Sequence, residues 1–479
     1  MDRSGLIAGW RGGQVACAVG SLLLALMVLK AGWGWVGPVL AIAVVAAGVG
    51  AACWPIGGQT IEQWCPIVVS WLLRRGVRNG VVGVAMLGRR RDEEAGSMPG
   101  AGAGSRALPP GLAELSGCRL LSPQAHLGGL GMGVIHDRAS RTFSSVIGVR
   151  GQSFALLDAE DKHRRVTAWS SLMAGLARED SVIHRLAWVR RTIPDDAEAV
   201  SRFLVANAKL ELDSPPGASY ASLVEQAGPL TQRHQVFIVL SIRPPRLARG
   251  SDQDPVATAC GILARETRAL QDQLRNADID VIAALGPVAL AHCLRQAIQD
   301  RSVQAPGPIW PWPLATETTW SALRTDALWH GTYWISEWPR IDVGPDFLSP
   351  LLLRSGARQS IAVVMEPIAP SRAVREVEQA RVGGMADEEL RRRAGFVLTA
   401  RRRREHEVSA RRETELADGH ADFRFSGYVT VSAANHDDLE EAGARVEQAG
   451  AQARLELRRL YGQQDRAFTW TLPMARGLA

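Results

Sequence analysis

The residue types and spacings of this chain do not fit nucleotide hydrolysis. A P-loop needs a glycine-rich turn whose backbone amides surround phosphate, followed by Lys and then Ser or Thr. Lysine occurs only at positions 30, 162 and 209, and none of the three follows such a turn. The glycine cluster at residues 127–134 (LGGLGMGV) lacks the G-x-G-x-x-G spacing, so it is interpreted as a flexible turn. The sequence therefore predicts that the chain does not hydrolyse ATP.

Metal and nucleophile chemistry have no better support. His406 and Glu407 begin like the H-E-x-x-H helix of zinc peptidases, but the second histidine is absent. The six cysteines are scattered without a C-x-x-C pair, and the chain has no G-x-S-x-G elbow. The acidic group at Asp158, Glu160 and Asp161 lies where a strand gives way to a helix, which favours helix capping. We predict a protein that is not an enzyme, with no catalytic residue, metal ligand or cofactor.

Tryptophan is concentrated in one short segment of the chain. Six of the 15 tryptophans fall between residues 310 and 338. Exposed aromatic rings beside basic residues can stack on the bases of single-stranded nucleic acid. The spacing of the last rings along a predicted strand instead favours packing against a helix. Both interpretations stay open, and three rings are retained as candidate partner-interface residues: Trp329, Trp334 and Trp338.

The other candidate interface is a basic stretch at residues 391–404 (RRRAGFVLTARRRR). Glutamates flank it on both sides, so the competing interpretation is the solvated face of a helix. A formal charge of +6 adds little, because the arginines elsewhere alternate with Asp and Glu. Direct contact with nucleic acid is therefore left open. The candidate residues are Arg391, Arg392, Arg393, Arg401, Arg402, Arg403 and Arg404.

Two apolar runs near the start, residues 13–29 and 32–54, dominate the hydropathy pattern. Each run is about as long as a ~30 Å hydrocarbon core requires. A cleaved signal peptide is the alternative, but a second apolar run does not normally follow one directly. Arginines flank the pair while the intervening turn has none, which places both ends in the cytoplasm. We predict a two-helix transmembrane hairpin over residues 1–57 of a multi-pass protein of the cytoplasmic membrane, with the lipid bilayer as a partner.

The remaining chain is expected to contain two folded regions. Residues 58–110 are predicted to be an interfacial segment followed by a flexible linker rich in Gly, Ala, Ser and Pro. Alternating strand and helix patterns then predict a first α/β domain over 111–304 and a second over 305–479. The order of elements indicates two ferredoxin-like split βαβ units of α/β (α+β) class. A helical stretch over 371–419 is too long for a compact helix, so we expect a projecting antiparallel arm.

Several segments together resemble a known family. They are SALRTDALWHGTYWISEWPRIDVGPDFLSP from Ser321, IAVVMEPIAPSRAVREVE from Ile361, GYVTVSAANHDDLEEAGARVEQAG from Gly427 and the closing LPMARGLA. With the apolar pair, these segments are similar to the actinobacterial conjugation-associated membrane proteins. That family joins a PrgI-like membrane hairpin to a region resembling the pre-motor N-terminal half of type IV secretion ATPases.

The resemblance implies a non-catalytic membrane scaffold of a conjugative, type IV-like DNA-transfer or secretion apparatus. Its expected partners are a separate secretion or conjugation ATPase, other channel subunits and further copies of the chain. The alternative is an EccE-like component of a type VII secretion translocon, since that protein also has two membrane helices before a cytoplasmic domain. A membrane-tethered enzyme is a third class, but no motif supports it.

Overall fold

The structure is a computed structural model that falls into two units, Met1–Ala95 and Gly96–Ala479. The described residues are 12–30, 36–53, 64–73, 112–122, 131–150, 157–194, 204–207, 214–227, 232–244, 254–299, 310–353, 356–393 and 400–478. The predicted linker, residues 74–110 in particular, lies outside them, as do residues 127–130 of the glycine cluster at 127–134.

The first unit contains helices α1 (Gly12–Lys30), α2 (Val36–Cys53) and α3 (residues 64–73). No helix among the described residues combines the length and the hydropathy needed to cross a membrane. The predicted transmembrane hairpin over residues 1–57 is therefore wrong, and so is the multi-pass membrane localisation. The helices α1 and α2 have 19 and 18 residues, slightly fewer than the about 20 predominantly apolar residues of an average span, and α1 ends in the charged Lys30.

The second unit is built on twelve strands. In chain order they are β1 (Cys118–Leu121), β2 (Val134–Asp137), β3 (Thr142–Arg150), β4 (Ile183–Pro194), β5 (Gln232–Ile242), β6 (Asp280–Ala284), β7 (Thr316–Thr318), β8 (Leu323–Thr325), β9 (Trp329–Glu337), β10 (Gln359–Pro367), β11 (Phe423–Ala433) and β12 (Glu456–Arg459).

Helices connect and cover these strands. They are the 3-10 turn η1 (Ala113–Leu115), α4 (Ala159–Leu176), α5 (residues 204–207), α6 (Pro215–Ala227), α7 (Pro255–Asn276), α8 (Pro287–Arg295), α9 (Ser349–Leu353), α10 (Pro370–Arg393), α11 (Ala400–Ala417), α12 (His436–Gln452) and α13 (Gln464–Trp470).

All twelve strands belong to one sheet, and every pairing is antiparallel. The main order is β1-β2-β3-β5-β4-β10-β11-β9-β8-β7, with β6 beside β3 and β12 beside β9. One half of the sheet is formed by β1–β6 and the other by β7–β12. Pairing of β4 with β10, from Gln359 opposite Thr192 to Met365 opposite Leu186, joins these two halves. The predicted fold class is thus corrected to α+β with a single large antiparallel sheet. Without this pairing, β4 and β10 would each be an edge strand with a row of unpaired backbone groups, and the pairing removes that cost.

Both faces of the sheet are covered. On one face α4 and α7 pack on β3 and β5, and α9 and α12 pack on β9 and β11. On the other face a third cluster unites η1, α8, α13 and the C-terminal residues Met474 and Ala475. Alternation along β4 serves both faces, since Leu186 faces α4 and α7 while Ala187 and Val189 face α8. Strands buried on both sides therefore read as nearly continuous apolar runs.

Local signals explain where several helices begin. The Asp158 carboxylate accepts from the Asp161 amide at 2.8 Å, which confirms the predicted capping role. Asn435 caps α12 in the same way by accepting from the Asp438 amide at 2.8 Å. Asp254 accepts from the Val256 amide, and Pro255 occupies the first turn of α7, where its missing N–H costs nothing.

A buried histidine makes the folded state sensitive to acid. His330 is fully buried, and its ring nitrogens bond to Thr325 Oγ1 and Ser432 Oγ, each at 2.8 Å. Burial lowers the pKa of His330 to about 3, with Arg358 contributing. The unfolded chain binds this proton below about pH 6.5 while the native state does not, so stability falls as pH falls.

We expect His330 to contribute a loss of about 2 to 3 kcal/mol in unfolding free energy between pH 7 and pH 4.5. Urea unfolding at the two pH values measures it, and His330→Gln should reduce the difference by most of that amount. The matched control is His420→Gln, because His420 is exposed. An equal acid sensitivity in wild type and His330→Gln would contradict the assignment.

Candidate partner interface on the helical arm

The arm, defined as α10 and α11, leaves the sheet between the neighbouring strands β10 and β11. At its root the Ile368 amide donates to the Asp422 carbonyl at 3.0 Å, and Arg412 forms an ion pair with the Asp422 carboxylate. The first turn of α10 is tied to the turn that follows α4, since the Ser371 amide and hydroxyl donate to Glu179. The Ser371 hydroxyl bond is the main cause of a lowered pKa of Glu179. The root of the arm is therefore anchored to the sheet domain.

Ion pairs and a glycine turn define the course of the two helices. Arg381 of α10 and Glu413 of α11 pair at 2.8 Å, so the helices run antiparallel from the root. Gly419 ends α11 with φ of +87°, and the His420 amide bonds back to the Glu415 carbonyl at 2.9 Å. This i to i−5 bond and the left-handed residue form a Schellman-type end, for which glycine is the usual choice.

Few described side chains of the arm are buried. Ala373 and Val377 are buried at the root, whereas Val382 and Val408 are 67% and 63% exposed. Beyond the root, the described residues of both helices carry no buried apolar side chain. A helical surface without buried apolar side chains gains little from burial and is typical of segments that bridge to another domain or protein. The described side chains beyond the root fit the candidate interface predicted for this stretch.

The predicted arginines occupy the end of the arm far from the sheet. Arg391, Arg392 and Arg393 lie in the last turn of α10, and Arg401, Arg402, Arg403 and Arg404 lie at the start of α11. We call these seven residues the tip arginines. Cations are favourable at the C-terminal end of α10 but unfavourable at the N-terminal end of α11, where the helix dipole is positive. The structure brings all seven to one end of the arm.

The predicted tryptophans lie elsewhere, on β9 and just after it. Trp334 packs against the α8 and α13 face, and its Nε1 donates to Ser426 Oγ at 3.0 Å. Trp329 and Trp338 pack on the opposite face, where Trp329 meets the His436 ring edge-on and Trp338 meets Phe425. All three rings are only partly exposed, and they do not form one surface. The structure does not join them to the tip arginines.

The described residues contain no group of three or more His, Cys, Asp or Glu side chains placed to hold a metal ion. Burial raises the pKa of the Cys118 thiol to about 12 and that of Cys260 to about 11, so both stay protonated at neutral pH. These two thiols are therefore poor nucleophiles.

One unexpected residue is Arg191 on β4, which is 1% exposed and faces α8. It has the same parity as Ala187 and Val189, which are buried on that face. Arg191 is one of many arginines in the sequence, and charge pattern alone does not single it out as a candidate. An arginine at an inward position of an alternating strand is the signal that would have indicated it.

The fold and the arm define this chain as an α+β protein whose sheet domain carries a helical arm. No family model matches the sequence, and no curated protein matches it.

Proposed function

We propose that this protein is a non-catalytic scaffold component of a conjugative, type IV-like DNA-transfer or secretion apparatus. In this proposal a separate ATPase docks on the arm, and other channel subunits bind the sheet domain. The observation that carries the proposal is the arm, which is anchored at its root and has seven arginines in the helix ends far from the root. The sequence resemblance supplies the class of apparatus.

Charge explains why the docking partner should be acidic. Four of the tip arginines stand at the positive end of the α11 dipole, and three more stand at the end of α10. An acidic partner surface would reduce the repulsion among the seven tip arginines. It would also offset the unfavourable interaction of four of them with the positive end of the α11 dipole. Ion pairs between exposed groups weaken when salt shortens the Debye length from about 8 Å at 0.15 M. The contact should therefore weaken with added salt.

The test removes charge from the tip without altering the sheet domain. Arg401, Arg402, Arg403 and Arg404 are all replaced by Gln, which is a good helix former. The matched control replaces four exposed arginines outside the arm, Arg138, Arg141, Arg233 and Arg424, by Gln. Tagged proteins are purified from the native host at about 0.15 M salt, and bound proteins are identified by mass spectrometry.

We expect wild type and control to retain an ATPase of the secretion or conjugation class. The amount of ATPase that co-purifies with the tip variant should be about tenfold lower, which corresponds to a loss of about 1.4 kcal/mol in binding free energy. Absence of any such ATPase from the wild-type sample would refute the proposed function. Full retention of the ATPase by the tip variant would leave the scaffold role standing and show that the docking site lies elsewhere.

A further inference from the structure

A cavity of about 530 Å³ opens beside α8 on the face of the sheet opposite α4 and α7. This volume lies within the range of small-molecule sites. Phe237, Leu285 and Val288 form an apolar part of its wall, and Gln235 and Gln296 supply side-chain amides. The composition suits a ligand with an apolar body and one polar end.

A buried guanidinium lies directly behind this wall. Arg191 Nη1 donates to the carbonyl oxygen of Cys293 at 2.6 Å, and its Cζ lies 5.9 Å from the centroid of the Phe237 ring. Cys293 and Phe237 both line the cavity. On the neighbouring strand Gln235 lies directly opposite Arg191, with its side chain also lining the cavity.

The other edge of the guanidinium has no hydrogen-bond partner. Arg191 Nε and Nη2 are buried and have no hydrogen-bond partner among the described residues, and the same holds for Oε1 of Gln235. Nε–H and Nη2–H point the same way, so together they match the two oxygens of a carboxylate. The C-terminal end of α8 stabilises the Arg191 charge through its dipole and accepts a hydrogen bond from Nη1 at the Cys293 carbonyl. It does not supply an acceptor for Nε or Nη2. Buried donors without partners carry a cost that a ligand can remove.

We propose that the cavity binds a small carboxylate with an apolar body. The carboxylate pairs side-on with Arg191 Nε and Nη2, and the apolar body lies against Phe237, Leu285 and Val288. It enters by displacing the Gln235 amide from Gln296, where the present Nε2 to Oε1 distance is a long 3.3 Å. A phosphate dianion fits less well, because the neighbouring Arg295 is already paired with Asp326 at 2.8 Å. This site is independent of the arm.

The experiment uses the full-length chain and benzoate as the probe, followed by isothermal titration calorimetry. Benzamide has the same shape without the charge, and inorganic phosphate tests a different anion. Arg191→Lys keeps the charge but loses the two-pronged edge. Val288→Trp fills the cavity from a residue that is 56% exposed, and its matched control Ile282→Trp adds the same bulk at a 61% exposed residue outside the lining.

We expect wild type and Ile282→Trp to bind benzoate with a Kd of about 1 mM or below and to ignore benzamide. Arg191→Lys should weaken binding about tenfold or more, and Val288→Trp should abolish it. Thermal unfolding checks that each variant is folded. No heat with benzoate, equal binding of benzamide, binding of phosphate alone, or unchanged binding by a folded Arg191→Lys protein would each overturn the proposal.

Discussion

Replacement of Ala362 by proline should unfold the whole sheet domain, with an expected loss of about 4 kcal/mol in unfolding free energy. Ala362 is fully buried in β10 and lies between Val189 of β4 and Tyr428 of β11. Proline has no N–H to donate, and central strands tolerate neither the missing ladder bond nor the ring. The unpaired buried acceptor and the steric clash together account for the expected size.

Circular dichroism and urea unfolding measure this effect. The matched control is Glu317→Pro in β7, which is the last strand of the main order and therefore an edge strand. Proline at an edge strand should cost about 1 kcal/mol or less. Because β10 joins the halves, Ala362→Pro should destabilise both in a single transition. A folded Ala362→Pro protein with unchanged stability would contradict the central position of β10.

The second large effect is expected at Arg476, whose side chain fastens the C-terminal segment to the opposite half of the sheet. Its Nη2 donates to Asp137 Oδ2 at 2.6 Å, and its Nη1 donates to the Glu114 carbonyl at 2.8 Å. The side chains of Arg476 and Asp137 are 17% and 9% exposed, so their ion pair is largely desolvated. Arg476→Met should cost about 3 to 5 kcal/mol, because Asp137 is left buried without its cation.

The pH dependence gives this prediction a sign. Burial alone would raise the pKa of Asp137, but the Arg476 charge and the hydrogen bonds from Ser140 and Arg476 lower it overall. The stability from this group is therefore present above the unfolded pKa of about 3.9 and is lost as pH falls through the folded pKa. The deficit of Arg476→Met should be largest near neutral pH and should shrink as the solution is acidified.

Chemical unfolding of four proteins completes the test: wild type, Arg476→Met, Asp137→Asn and the double variant. A coupling energy well above 1 kcal/mol is expected for a desolvated pair. Arg445→Met is the control, since Arg445 and Glu441 form an exposed pair at 46% and 73% and should change stability by less than about 1 kcal/mol. If Arg476→Met behaves like Arg445→Met, the C-terminal contact does not stabilise the domain.

Local signals in the sequence were sufficient for the ends of several helices. Asp158 and Asn435 cap α4 and α12 because each supplies a side-chain oxygen to a backbone amide three residues later. Such contacts depend only on neighbours along the chain. Strand patterns in the sequence were visible for the same reason, since successive side chains of a strand point to opposite faces.

The membrane prediction failed although it used an equally local pattern. The first apolar run, residues 13–29, lies entirely within α1, which extends to the charged Lys30. Of the second run, residues 32–54, the helix α2 covers only Val36–Cys53. Hydropathy marks where apolar residues are concentrated, but the ends of a helix depend on where the backbone leaves helical geometry.

Only the tertiary structure decided how the halves combine and where charges become buried. The β4 to β10 junction joins Leu186 to Met365, and the Arg476 to Asp137 pair spans 339 residues. Arg191 is an ordinary basic residue in the sequence, and it becomes a buried, half-satisfied cation only when α8 packs over it. Strand pairing and burial depend on which distant segments meet, and neither periodicity nor composition carries that information, because many pairings satisfy the same alternation.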